Sequence, residues 1–296
     1  MSQRLPEEDL WIARWTRALR SPRLSGLRHG LGHDCAVFAP PSPKLDLVLK
    51  TDSLVEGVHF LRSTPAPLAG RKALARALSD LAAAGATPTA ALVTAGCPDK
   101  KSAARLESIY RGLASAARRW GVTVVGGETV RTRQLLLSVS LLGTVPRGQS
   151  PHRAGARPGH RLFVTGNLGG SWPRRHLTFT PRLGEGRWLA QQRIPSAMMD
   201  LSDGLGADLP RLARMSRIGF RLFSEKLPLA PGASTRQAIT LGEDYELLFA
   251  VPPAKAARLW KTWPFKTRLT EIGVCLPAGS GFQSEGLPLQ GYDHLR

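Results

Sequence analysis

Apolar residues along this chain fall into two kinds of spacing, and the changes from one to the other set out its elements. Strand-length apolar runs occupy Leu45 to Asp52, Ala90 to Ala95, Val122 to Val125 and Leu135 to Val145, while helical spacing covers Pro67 to Gly85 and Ser102 to Trp120. Gly121 stops the second of these helices, and Gly126-Gly127 ends the strand that follows it. Residues 7 to 20 read as a short amphipathic helix ahead of them. The polar stretch RGQSPHRAGARPGH, rich in Gly and Pro, then interrupts the pattern. Beyond it strands are predicted at Arg161 to Thr165, Ala197 to Leu201, Phe220 to Leu222, Glu246 to Val251 and Thr270 to Val274, with helices at Leu205 to Arg217 and Ala254 to Trp260. Helices mixed with several adjacent strands predict an α+β fold rather than a doubly wound sheet. The interruption divides 296 residues into two domains, 1–148 and 149–296, each of a usual size for one core.

Composition narrows the class. The longest apolar runs, such as Gln134 to Val145, fall far short of the roughly 20 residues that span a bilayer. Glu7, Glu8 and Asp9 lie within the first twenty residues and argue against a signal peptide, so a soluble cytoplasmic protein is expected. Cys35, Cys97 and Cys275 have no paired spacing, which excludes a disulfide framework and the usual zinc knuckles. A net charge of +19 raises nucleic acid as a partner. The basic residues, however, are scattered singly and in pairs, with no basic run or nucleic-acid motif. A basic solvated surface is the expectation, and a nucleic-acid-binding protein is the alternative from another class.

The acids are placed more selectively than the bases. Asp34 lies in GLGHDCAVF, Asp52 in LVLKTDS, Asp80 in ALSDLAAAGA, Glu128 in TVVGGET, and Asp200 with Asp203 in SAMMDLSDGLGADL. Each has a plainer reading. Asp80 and Asp203 read equally well as helix caps, Asp200 as a strand residue facing water, and Glu128 as the closure of a Gly-Gly turn. Six acids in similar settings, beside apolar runs and glycines, are explained together by one hard-cation site. Oxygen ligands without His or Cys suit Mg²⁺, and Mg²⁺ held by a few carboxylates usually also binds substrate phosphates. No G-x-x-x-x-G-K-[ST], no G-x-S-x-G and no H-E-x-x-H occurs, so ordinary phosphate loops, serine hydrolases and zinc proteases have no support.

Taken in order, GLGHDCAVF, KTDSLVEGVHF, ALSDLAAAGATP, VVGGETVR, HRAGARPGHRLFVTGNLG, MMDLSDGLGADL, LGEDYELLF and GYDHL resemble the thiamine-monophosphate kinase family. That family lies in the superfamily of aminoimidazole ribonucleotide synthetase and selenophosphate synthetase. The resemblance implies a two-domain fold of that superfamily, with a mixed N-terminal sheet and helices followed by a C-terminal α/β sandwich. It also implies that residues 1–148 bind ATP and Mg²⁺ and dimerise, and that 149–296 complete the active site. The implied reaction moves the γ-phosphoryl of ATP onto thiamine monophosphate, giving thiamine diphosphate, with several Mg²⁺ ions and a homodimer. A related ATP-dependent synthetase or maturation enzyme acting on another acceptor is the nearest alternative.

Carried over by position, the resemblance implies metal ligands at Asp34, Thr51, Asp52, Asp80, Glu128, Asp200 and Asp203. It implies nucleotide contacts at Tyr110, Gly127, Arg153 and Ser202, and substrate contacts at His59, Glu243 and Tyr292. No catalytic base is implied, because the accepting phosphate oxygen is already ionised at pH 7. Without the resemblance, Arg153 reads as a solvated boundary residue, Tyr110 as core, Tyr292 as a docking residue and His59 as a packed imidazole. Four departures from the family's pattern stand out: His33 replaces an acid, Glu128 an Asp, Lys50 a Ser or Thr, and the chain after Gly170 is shorter by a helix. Lys50 and Asp52 share a strand face, since side chains alternate with period two. The Lys50 ammonium is therefore expected beside the metal carboxylates, taking the place of one peripheral Mg²⁺; the plainer reading is that it reaches out to water.

Overall fold

The strand-forming runs find their partners in two separate sheets. A computed structural model describes residues 27–29, 34–39 and 43–293, and the helix expected over 7–20 lies outside them. The chain divides into two units. One consists of Asp34–Pro151 with Pro173–Arg193, the other of Met1–His33, His152–Trp172 and Ile194–Arg296.

After the short strand β1 (Leu27–His29), the first unit is built on β2 (Ala36–Phe38), β3 (Leu45–Val55), β4 (Thr87–Cys97), β5 (Thr123–Arg131) and β6 (Leu136–Pro146). These five pair in the order β2-β3-β6-β4-β5, all antiparallel except β4 with β5, which makes the sheet mixed as expected. Along β3, Val48 and Leu54 are buried while Leu45, Leu49, Thr51 and Ser53 are exposed, the alternation of a strand covered on one side. The covering element is α1 (Ala66–Ala83), with Pro65 and Pro67 at its start, and α2 (Lys100–Trp120) packs on α1. Helix α2 is capped at both ends: the Asp99 carboxylate accepts from the Ser102 N–H at 2.7 Å, and Gly121 takes the left-handed conformation after Trp120. A nine-residue helix, α3 (Leu183–Gln191), also packs on α1.

One expected boundary is wrong. The strand predicted to stop at Gly126-Gly127 continues to Arg131, because β5 keeps its parallel pairing with β4 through Gly126 opposite Leu92 and Gly127 opposite Val93. A Cβ on Gly127 would lie 1.9 Å from the Val93 carbonyl oxygen, so this glycine allows a close backbone approach instead of turning the chain.

The second unit contains β7 (Arg161–Thr165), β8 (Ala197–Asp200), α4 (Leu205–Ser216), β9 (Gly219–Leu222), α5 (Thr235–Thr240), β10 (Leu247–Val251), α6 (Pro253–Thr262), β11 (Leu269–Leu276) and β12 (Phe282–Gln283). Its sheet runs β12-β9-β11-β7-β10-β8. Strands β7, β8 and β10 are apolar almost throughout because both faces are covered. Leu162, Val164, Met199 and Leu248 pack with Leu209 and Leu212 of α4, while Phe163 and Phe249 stack on the other face, against Trp260 of α6. Cys275 belongs to the first of these cores, and burial pushes its thiol up to about 12, in keeping with a small core hydrophobe. After Gly170 the chain makes only a short irregular turn, Ser171–Arg175, before the single turn His176–Thr178. Among the described residues no helix is long and apolar enough to cross a membrane.

Candidate functional site

In the first unit the acids gather where β3 passes beneath α1. Asp80 lies in the last turn of α1 and Asp34 just before β2; both are buried, and their carboxylate oxygens come within 4.8 Å of each other. Asp80 is thus inside its helix and not a cap. From β3, Lys50 reaches the same point, with Nζ 2.9 Å from Asp80 Oδ1. Burial alone would lower the Lys50 pKa, but Asp80, Asp52 and Cys35 outweigh it and hold the ammonium above its ordinary value. Asp52 sits on the same strand face. Its Oδ1 accepts from the Ser53 N–H at 2.8 Å, and its Oδ2 lies 3.3 Å from Arg76 Nε on α1.

Beyond β3 the chain turns at Gly57, whose φ of +84° suits glycine, and the Gly57 N–H donates to the Phe60 carbonyl at 2.8 Å. This turn fixes His59. Its Nδ1 accepts from the Val55 N–H at 3.0 Å, and its carbonyl accepts from Lys72 Nζ at 2.6 Å. Lys72 is fully buried on α1 and also donates to His176 Nδ1 at 2.7 Å. A buried ammonium must be hydrogen-bonded, and here that need ties the His59 turn to the helix bearing Asp80.

In the second unit the loop after β8 collects most of the remaining candidates. Asp200 is buried at the end of β8. The Ser202 carbonyl accepts from the Glu243 N–H at 2.7 Å, and the Asp203 carbonyl from the Tyr292 N–H at 2.9 Å, so the implied metal, nucleotide and substrate positions are backbone neighbours. Asp203 pairs with Arg211 of α4, which also holds the fully buried Asp208 at 3.0 Å. Helix α4 has no side-chain cap, so Asp203 does not cap it. Burial above all, then the charge of Asp203, pushes Asp208 up to about 7 against the pull of Arg211 and Arg153. Arg153 therefore acts within this same cluster. The stretch LGEDYE holds Glu243 at φ 66° and Tyr245 at φ 52°, two left-handed non-glycine residues in three positions. Conformations of this kind cost of order 1 kcal/mol or more each and persist where the surroundings over-determine them. Here the anchors are Asp244, which accepts from the Gly169 N–H at 2.8 Å, and the fully buried Glu246, which accepts from Thr165 Oγ1 at 2.8 Å.

Some implied residues lie apart from these clusters. Thr51 points to the sheet face opposite Lys50 and Asp52, where its hydroxyl meets those of Ser138 and Ser140 at 3.4 and 3.0 Å. Glu128 is exposed on the edge strand β5, its carboxylate accepting from the Thr129 N–H at 2.8 Å. Gly127 precedes it on that strand. Tyr110 lies part-exposed on α2, and burial raises its phenol pKa. Sequence reasoning missed Arg76, Lys72, Asp208 and Arg211. Arg76 carried a readable signal, since it stands four residues before Asp80 and so shares its helix face.

Residues 32–145 match the family described as AIR synthase related protein, N-terminal domain. The thiamine-monophosphate kinase of Rhodopirellula baltica is 37% identical over 262 residues, covering 82% of this chain and 82% of its own. That of Escherichia coli K12 is 34% identical over 327 residues, covering 96% and 97%. Among solved structures, AaThiL complexed with AMPPCP and TMP superposes with a TM-score of 0.82 at 31% identity, over 99% of both chains.

Proposed function

The chain belongs to the thiamine-monophosphate kinase family, and from that membership we infer that it transfers the γ-phosphoryl of ATP to thiamine monophosphate, giving thiamine diphosphate and ADP. The observation that carries this reading is the match over 99% of the chain to a protein seen with AMPPCP and TMP bound. Other acceptors and nucleic acid are not favoured. Phosphoryl transfer asks the protein mainly for positioning and charge neutralisation, and an ionised phosphate acceptor needs no general base. That agrees with a site of acids and fixed cations.

Mg²⁺ suits the donor set, since the buried Asp34 and Asp80 present only oxygen, close enough for one small ion. When bound, Mg²⁺ supplies charge neutralisation at phosphate oxygens. The chain's own residues supply the rest of our reading. Asp34, Asp52 and Asp80 in one unit, and Asp200 and Asp203 in the other, hold the cations. Arg153 offers a planar fork to a nucleotide phosphate. Ser202 and Tyr110 contact the nucleotide, and His59, Glu243 and Tyr292 orient thiamine monophosphate. Thr51 and Glu128 enter this reading from the resemblance alone, and Gly127 through its backbone. A cytoplasmic location fits ATP as co-substrate.

Purified protein supplied with ATP and Mg²⁺ should phosphorylate thiamine monophosphate when thiamine and an aminoimidazole ribonucleotide precursor are offered beside it. Turnover of another acceptor but not of this one would overturn the reading. The sheet of the first unit leaves Leu49, Leu92, Val125 and Val130 exposed, and β5 is an edge strand exposed over most of its length. A homodimer through this sheet would cover both, so light scattering at micromolar concentration should give twice the chain mass. A monomer there would remove the dimer and leave the activity untouched.

A further inference from the structure

Two carboxylates near the β3 and α1 crossing, Asp80 and Asp52, already face cations belonging to the chain. Lys50 Nζ lies 2.9 Å from Asp80 Oδ1, and Arg76 Nε lies 3.3 Å from Asp52 Oδ2. Neither cation is a loose surface group. The Lys50 side chain is 22% exposed and that of Arg76 11%, and Arg76 is held a second time through its donation to the Ser53 carbonyl at 2.9 Å. Asp34, Asp52 and Asp80 carry three negative charges, and Lys50 with Arg76 carry two positive ones. Two fixed monovalent cations thus supply the charge of one divalent ion.

We propose that Lys50 and Arg76 together stand in for one Mg²⁺ of the phosphate-binding site, so that this chain takes up one divalent cation fewer with its nucleotide than the same site would without them. The inference rests on the phosphate-transfer reading only for the nature of the anions served. Its chemistry follows from the groups themselves. An ammonium and a guanidinium donate hydrogen bonds and offer no lone pair to a metal, so neither ligates an ion. A divalent ion drawn to the Arg76 side of Asp52 or to the Lys50 side of Asp80 would meet a fixed like charge. It would also compete for carboxylate oxygens that are already engaged. The two side chains are held in place and are present at any Mg²⁺ concentration, which makes part of the neutralisation of the phosphates independent of metal supply.

The test counts metal without relying on turnover. The full chain is titrated with Mn²⁺ in the presence of saturating AMPPCP, and bound Mn²⁺ per chain is read from the paramagnetic resonance of the free ion. Lys50→Thr combined with Arg76→Leu should bind one more Mn²⁺ per chain than the unaltered protein, and Lys50→Arg should leave the count unchanged. Lys50→Thr alone, the milder change, should also gain an ion if the double variant does not fold. An equal count in the unaltered chain and in the folded neutral variants overturns the proposal, as does the absence of bound Mn²⁺ in every form. The thiamine monophosphate assay on the unaltered protein tests the kinase reading separately, so failure of one is distinguishable from failure of the other.

Discussion

Asp52→Asn should lower thiamine diphosphate formation by about 100-fold or more while leaving the melting temperature within about 4 °C of the parent. Even residues that merely orient a metal ligand cost 10- to 100-fold when changed, and a carboxylate that itself holds the cation should sit at or above the top of that range. The fold should tolerate the change because the amide keeps the shape of the carboxylate. Its oxygen still accepts from the Ser53 N–H, now 2.8 Å from Asp52 Oδ1. What the fold loses is the pair with Arg76, on a strand whose Asp52 side chain is 20% exposed. Arg76 keeps its bond to the Ser53 carbonyl at 2.9 Å, so the loss is that of one long polar contact, about 1 kcal/mol, which for a chain of this size is a shift of about 4 °C at most. Steady-state assay and thermal melting on the same sample separate the two effects. Near-normal turnover with an unchanged melt would mean that Asp52 serves Arg76 and nothing else.

What could be read from the sequence follows from which interactions are local. Helices α1, α2 and α4 and strands β3, β6, β7 and β10 have clear spacing or unbroken apolar runs, and the structure places them within a few residues of expectation. The glycines of β5 misled because a glycine that stops a strand and one that admits a neighbouring backbone look the same in sequence. Only the parallel pairing with β4 distinguishes them. Helix α5 was missed although its capping box, Ser234 with Gln237, is a local signal. Helix α3 has no side-chain cap, and its place is set by contact with α1.

The same division holds for the candidate site. That acids end apolar strands is visible locally, and so is the shared face of Lys50 and Asp52. The alternation that joins those two also sends Thr51 to the opposite face, a consequence already contained in the sequence. Which cation meets which acid is not local. Lys50 is thirty residues from Asp80 and Arg76 twenty-four from Asp52, and only the packing of α1 on β3 brings each pair together. Asp208 reads as one more polar residue of a helix until its complete burial is seen.

That packing depends on how closely α1 is gripped, and Gly70→Ala or Gly112→Ala should each lower the melting temperature by roughly 4 to 12 °C. A Cβ on Gly70 would lie 1.9 Å from the Ile109 carbonyl oxygen of α2, and one on Gly112 would lie 1.9 Å from the Pro67 carbonyl oxygen of α1. These obstacles are backbone atoms of a neighbouring helix, so no side chain can swing aside and the helices must separate. Overpacking typically costs about 1 to 3 kcal/mol and occasionally more. Alanine recovers up to about 1 kcal/mol of helix propensity at either site. The contact with backbone puts the clash at the upper end, leaving a net loss of about 2 to 3 kcal/mol, at roughly 2 to 4 °C per kcal/mol in a chain of this length. Both clashes are relieved by one movement, the withdrawal of α2 from α1. The double variant should therefore lose less than the sum of the two single losses. Because α1 carries Lys72, Arg76 and Asp80, the same withdrawal should weaken Mn²⁺ binding in protein that is still folded. Differential scanning calorimetry of the three variants decides it: melting within about 1 °C of the parent, or strictly additive losses, would show that the two helices do not meet through these glycines.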